Sequence, residues 1–106
     1  MSRHKISTFG EFIRELREKE GLPIRKVAAQ LDIDPSLLGK IERNDRPPTK
    51  EQIKKLAEIF GQDENYLLSE FVSDQIAYKI LKEETDLSIL KVAEKKVHYL
   101  KTKQNG

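Results

Sequence analysis

Between residues 21 and 55 the chain carries eight Lys and Arg against five Asp and Glu, a local charge of +3. The eight are Arg25, Lys26, Lys40, Arg43, Arg46, Lys50, Lys54 and Lys55. Guanidinium and ammonium groups suit phosphate oxygens, and a lysine also suits the O6 and N7 acceptors of guanine. The chemistry this stretch offers is contact with a polyanion. Other chemistry is poorly provided for. There is no cysteine, and the two histidines, His4 and His98, stand far apart, so neither a disulfide framework nor a metal site is expected. A glycine-rich phosphate loop, a nucleophile paired with a histidine and a carboxylate cluster in an apolar setting are all missing. No catalytic residue, cofactor or small-molecule ligand is expected, and the chain does not read as an enzyme.

Length and charge bound this reading. A chain of 106 residues suits one domain with a small appendage. Charged residues make up 36% of it, yet the net charge is only +2, so nucleic-acid contact must come from local clustering. No apolar run approaches the roughly 18 residues of a membrane span, and no signal-like segment precedes the first helix. A cytoplasmic protein without a membrane partner is the expectation.

The elements that must position the cationic residues can be read from periodicity. Ile24, Val27, Ala28 and Leu31 recur on one face of a two-turn helix. Asp32 and Ile33 make a corner. Asp34-Pro35 then opens a second helix, with Asp34 as N-cap and Pro35 at the first helical position. Leu38 and Ile41 give it a buried side, and it is expected to run to Asn44. Pro47 and Pro48 cannot continue a helix, since proline lacks the amide donor and restricts the residue before it. Two helices joined by so short a corner cross steeply, which is the helix-turn-helix geometry, whose second helix can enter a major groove.

At Gly21, Leu22, Val27, Ala28, Leu38, Ile41, Glu42 and Pro48 the chain resembles the Cro/lambda-repressor-like (XRE) DNA-binding family. The resemblance spans residues 8–70 and is similar to that of short controller proteins of restriction–modification systems. It implies an all-α fold: a five-helix lambda-repressor-like DNA-binding domain with an appended C-terminal helical segment. It also implies that Pro35, Ser36, Leu37, Gly39 and Lys40 face outward on the second helix. Ser36 and Lys40 are then the candidate base readers, and Leu37 either touches a thymine methyl or packs as a core leucine beside Leu38. Arg43, Arg46 and Lys50 are the expected phosphate contacts. In the family an arginine on the first helix pairs with the glutamate of the Ile-Glu motif, here Arg17 with Glu42. Three departures stand at the corner. Pro23 replaces a capping serine, Asp32 a glycine, and Ile24 a glutamine that commonly holds a phosphate. Arg25 and Lys26 are the candidates to restore that grip.

Flanking helices complete the bundle. Thr8 with Glu11, and Thr49 with Gln52, are capping boxes that open helices ending at Gly21 and Gly61. Asp63 or Glu64 opens a fifth helix that can run to Glu83. Residues 1–7 are expected to be a flexible basic arm carrying Arg3, His4 and Lys5. Residues 71–106 are expected to form a helical dimerisation segment. Its apolar stripe is Phe71, Ile76, Ile80, Leu90, Val97 and Leu100, its last helix ends near Lys101, and its tail from Lys103 is disordered. A lone hairpin of this size has little core, so it must pack on the domain or on another subunit. The expected partners are double-stranded DNA and a second copy of the chain. The rival reading is an antitoxin-like module whose C-terminal helices hold a partner protein.

Overall fold

The computed structural model of the chain describes residues 5–105, so Arg3 and His4 of the expected basic arm lie outside it. Every regular element among the described residues is a helix: α1 Phe9–Lys19, α2 Ile24–Leu31, α3 Pro35–Glu42, α4 Lys50–Phe60, α5 Glu64–Glu83 and α6 Ile89–Asn105. The starts follow the side-chain caps. Thr8 Oγ1 accepts from the Glu11 amide at 3.2 Å, and Glu11 Oε1 accepts from the Thr8 amide at 3.0 Å. Thr49 and Gln52 repeat this reciprocal pair at 3.1 and 2.9 Å. Pro23 stands in the N-cap position of α2 and gives it no side-chain cap. Asp63 accepts from the Asn65 amide ahead of α5.

Five helix ends are closed in one way. Gly21, Asp32, Asn44, Gly61 and Glu84 take the left-handed backbone, with φ between 53° and 67°. The amide of the following residue then reaches back across the turn: Leu22 to the Arg17 carbonyl, Ile33 to Ala28, Asp45 to Lys40, Gln62 to Ala57 and Thr85 to Ile80. Carbonyls that a helix end would leave unpaired are thereby satisfied. This closure corrects the expected end of α3. The helix stops at Glu42 rather than Asn44, because Asn44 itself is the left-handed residue.

The chain divides into two compact units, one reaching Asp74 and the other starting at Gln75. In the first, Phe9, Phe12 and Ile13 of α1, Val27, Ala28 and Leu31 of α2, Leu38 and Ile41 of α3, four residues of α4 and Leu67 of α5 form one core. Phe71 packs against it, edge-on to Phe9 with ring centroids 5.8 Å apart. Phe71, expected on a dimer face, thus has its ring packed within the first unit, which takes in residues 71–74 as well.

The second unit holds the rest of α5 and α6. Ile80 is buried, whereas Ile76, Leu90, Val97 and Leu100 are 44–52% exposed. The tail expected to be disordered from Lys103 is helical through Asn105, and Gly106 lies outside the described residues. Lysine and glutamine are good helix formers, and Lys103 in the last turn complements the helix dipole. No helix among the described residues is long and apolar enough to cross a membrane.

Candidate nucleic-acid interface

The interface candidate is α3, and three local features fix how it leaves the domain. Asp32 turns the chain with φ 59° at the end of α2, a conformation aspartate tolerates better than most residues. Asp34 caps α3 by accepting from the Ser36 amide at 2.9 Å, and Pro35 occupies the first helical position. Leu38 and Ile41 then drive one side of α3 into the core beside Val27, Ala28 and Leu31. The opposite side stays in water.

On that side the sequence-predicted residues divide by environment. Ser36 and Lys40 are exposed. The Ser36 hydroxyl donates to Asp34 Oδ1 at 2.9 Å. That bond and the one from the Ser36 amide hold the Asp34 carboxyl below the usual carboxylate range, the amide contributing most. Leu37 is only partly exposed and packs against the core, so the packing reading accounts for most of its side chain. Arg25, Lys26, Arg43, Arg46 and Lys50 are all exposed. Arg43 already has a partner, since its Nε donates to Asp45 Oδ2 at 3.3 Å. Both side chains are largely solvated, so a phosphate can compete for this arginine at small cost. Gly39 is buried. A Cβ there would lie 3.7 Å from Ile24 Cδ1 on α2 and 3.2 Å from the mobile end of Arg43, so the glycine faces protein, and an alanine would need only a small shift.

Behind α3 sits the pair implied by the family resemblance. Arg17 Nε donates to Glu42 Oε2 at 2.7 Å and Nη2 to Oε1 at 3.0 Å, a bidentate fork. Nη1 donates to the Leu22 carbonyl at 3.0 Å. Glu42 is buried and Arg17 nearly so. The hydrogen bonds to Glu42 push the Arg17 guanidinium further up than burial pulls it down. One side chain thus fastens α1, the turn after it and the last residue of α3.

A second fastening has no counterpart in the sequence reading. The Phe9 amide donates to Asp74 Oδ2 at 2.7 Å, and the Gly10 amide to Asn44 Oδ1 at 3.1 Å. Asn44 Nδ2 in turn donates to Thr8 Oγ1 at 2.8 Å. With Glu11 bonded to Thr8, the first three amides of α1 are taken by three separate parts of the chain. A Cβ on Gly10 would stand 2.5 Å from the carbonyl oxygens of Ile41 and Glu42, so α1 reaches the end of α3 only because residue 10 has no side chain. Asn directly after an apolar helix is a recognised stop signal and could have marked Asn44. Gly10 and Asp74 carry no comparable local signal.

The profile of the helix-turn-helix domain family matches residues 10–70. The chain is similar to the HTH-type transcriptional regulator RamB of Mycobacterium tuberculosis, with 34% identity over 61 residues; the match covers 58% of this chain and only 13% of RamB. It is similar to the restriction-modification controller protein C.AhdI of Aeromonas hydrophila, with 34% identity, a TM-score of 0.52, and coverage of 56% of this chain and 89% of that one. A SinR–SinI protein complex shares the fold at 18% identity and a TM-score of 0.54, covering 93% of this chain and all of that one. With more than half its length matched, the chain belongs to the XRE-like helix-turn-helix domain family.

Proposed function

We propose that the chain is a sequence-specific transcription regulator that binds a near-palindromic operator as a homodimer and controls its own expression. The observation that carries this is α3, held from behind by the core and the Arg17–Glu42 fork, with Ser36 and Lys40 exposed on its free side. In this reading Ser36, Lys40 and the exposed edge of Leu37 meet base edges. Arg25, Lys26, Arg43, Arg46 and Lys50 meet phosphates, which position without specifying. The likeness to a regulator and to a controller protein supports the regulatory role. Exposed Ile76, Leu90, Val97 and Leu100 support a second copy as the partner of the C-terminal helices. The same four residues favour a second reading, an antitoxin-like module that holds a different protein there.

Footprinting on the DNA upstream of the chain's own gene tests the proposal. A protected near-palindrome with half-sites about 10–11 bp apart, or a multiple of that, is expected. On that operator Lys40→Ala should cost about 1–3 kcal/mol and flatten preference at one base pair per half-site. Arg46→Ala should weaken specific and scrambled DNA alike and lower the salt slope by about one. Equal losses for Lys40→Ala on both DNAs would make Lys40 a phosphate contact. Sedimentation of the full chain separates the partners: a monomer that copurifies with a stoichiometric second protein would replace the homodimer by the antitoxin-like module.

A further inference from the structure

The N-cap of α3 fixes which half of a hydrogen bond Ser36 can offer. Asp34 Oδ1 accepts from the Ser36 amide and from the Ser36 hydroxyl, each at 2.9 Å. A carboxylate has no proton to give, so the proton between Oγ and Oδ1 is the serine's own. A serine hydroxyl has one proton and two lone pairs, and here the proton is committed to the cap. We propose that Ser36 reads DNA as an acceptor only, taking a hydrogen bond from the exocyclic amino group of an adenine or a cytosine in the major groove. Guanine N7 and O6 and thymine O4 are acceptors themselves and have nothing to donate to it.

Lys40, one turn further along the exposed side, has the opposite character. Its ammonium has three donors and no acceptor. The two residues therefore address base edges of opposite polarity, Lys40 seeking an acceptor such as guanine O6 or N7 and Ser36 an amino group. A bare serine would be indifferent between donors and acceptors; the aspartate two residues earlier removes that indifference. Asp34 is a positioning residue in this scheme, acting through the hydroxyl of Ser36.

The inference rests on the DNA-reading role proposed above, and its test keeps the two apart. The full chain is first selected on a pool of random duplexes, and the enriched motif is compared with that of Ser36→Ala. An unenriched wild-type pool overturns the DNA-reading proposal and this inference together. Otherwise Ser36→Ala should flatten one base pair per half-site. At that pair, synthetic duplexes replace adenine by purine or cytosine by 2-pyrimidinone, deleting the amino group alone. Wild type should lose affinity about 2- to 10-fold, as one net hydrogen bond allows, while Ser36→Ala should lose none. Glycine is a tolerated N-cap, so Asp34→Gly keeps the helix while freeing the hydroxyl, and its penalty for the missing amino group should shrink. Deletion of the acceptor oxygen at the same pair should leave wild type unchanged. A wild-type loss on removing the oxygen rather than the amino group, or no position flattened by Ser36→Ala, overturns the inference and leaves the operator reading standing.

Discussion

The two units of this chain use the same kinds of residue in opposite ways. Up to Asp74, nearly every large apolar side chain is buried or packed on one core, and thirteen Lys and Arg stand against fourteen Asp and Glu. From Gln75 on, seven Lys face four Asp and Glu, and Ile80 alone among the described residues is buried while leucines, valines and tyrosines lie exposed. The part carrying the helix-turn-helix is thus apolar inside and close to neutral overall, whereas the excess positive charge sits with the exposed apolar surface. Net charge does not single out α3 here. What sets α3 apart is how firmly it is held, since one of its sides is wholly committed to protein and its last residue to Arg17.

The sharpest way to break this contrast is to make one substitution in each unit. Leu38→Ala removes a fully buried side chain from α3 and should cost about 2–5 kcal/mol in denaturant unfolding. Leu100→Ala removes one that is half in water, and should change monomer stability by less than about 0.5 kcal/mol. With the homodimer proposed above, its effect should fall on association instead, seen as a rise in the dimer dissociation constant by sedimentation. Equal losses of folding stability would mean that the second unit has a core like the first.

Next in size is the buried fork. Removing one partner leaves the other charge uncompensated, so Arg17→Ala and Glu42→Ala should each cost about 3 kcal/mol. The double variant should be clearly more stable than the sum of the two losses. Additive losses in the cycle would reduce the fork to two separate contacts.

Much of the first unit was legible before the structure, and the reasons are local. Both capping boxes, the Asp34-Pro35 start and the left-handed Asp32 are decided within a few residues, so type and spacing suffice. Arg17 and Glu42 lie 25 residues apart and came from resemblance, not from any short-range rule. Asn44 meeting Gly10, and Asp74 meeting Phe9, join residues 34 and 65 apart, and nothing in the neighbouring sequence announces either bond. The second unit was read correctly as helical, but its end was not. A short polar end such as Lys103-Gln104-Asn105 looks like a solvated tail whether or not it is coiled into α6.

Asp74 gives a smaller test at the edge of the first unit. Burial holds its carboxyl above the usual range, the Phe9 amide pulls it back, and the charge of Glu11 pushes it up again. A raised carboxyl binds its proton more tightly folded than unfolded, so its ionised form costs stability at neutral pH and the cost fades as pH falls through the raised value. Asp74→Asn keeps an acceptor for Phe9 and has nothing to ionise. Wild type should therefore gain on Asp74→Asn as the solution is acidified, measured as the difference between their unfolding free energies. Asp74→Ala, which leaves the amide without its acceptor, should cost about 1 kcal/mol. A difference between wild type and Asp74→Asn that does not move with pH would show that this carboxyl is an ordinary one.

The smallest expected effect belongs to the second unit and has the opposite sign. Glu84 closes α5 with φ 53°, a position where a residue with a β-carbon is strained. Glu84→Gly should raise stability by up to about 1 kcal/mol in thermal unfolding. A loss would mean that the glutamate side chain contributes more than its backbone costs.

The start of α1 has a consequence for how the molecule breathes. Helix ends ordinarily fray, and their first amides trade protons with water long before the rest of the fold lets go. In α1 those amides are bonded to Asp74, Asn44 and Thr8, so no single fraying motion of the helix tip frees them all. Phe9 exchanges only when α1 parts from α5, and Gly10 only when it parts from the end of α3. Deuterium uptake at these two amides should therefore be as slow as at the middle of the helix. It makes them clocks for the opening of the whole unit, set at the one place along α1 where solvent would be expected to arrive first.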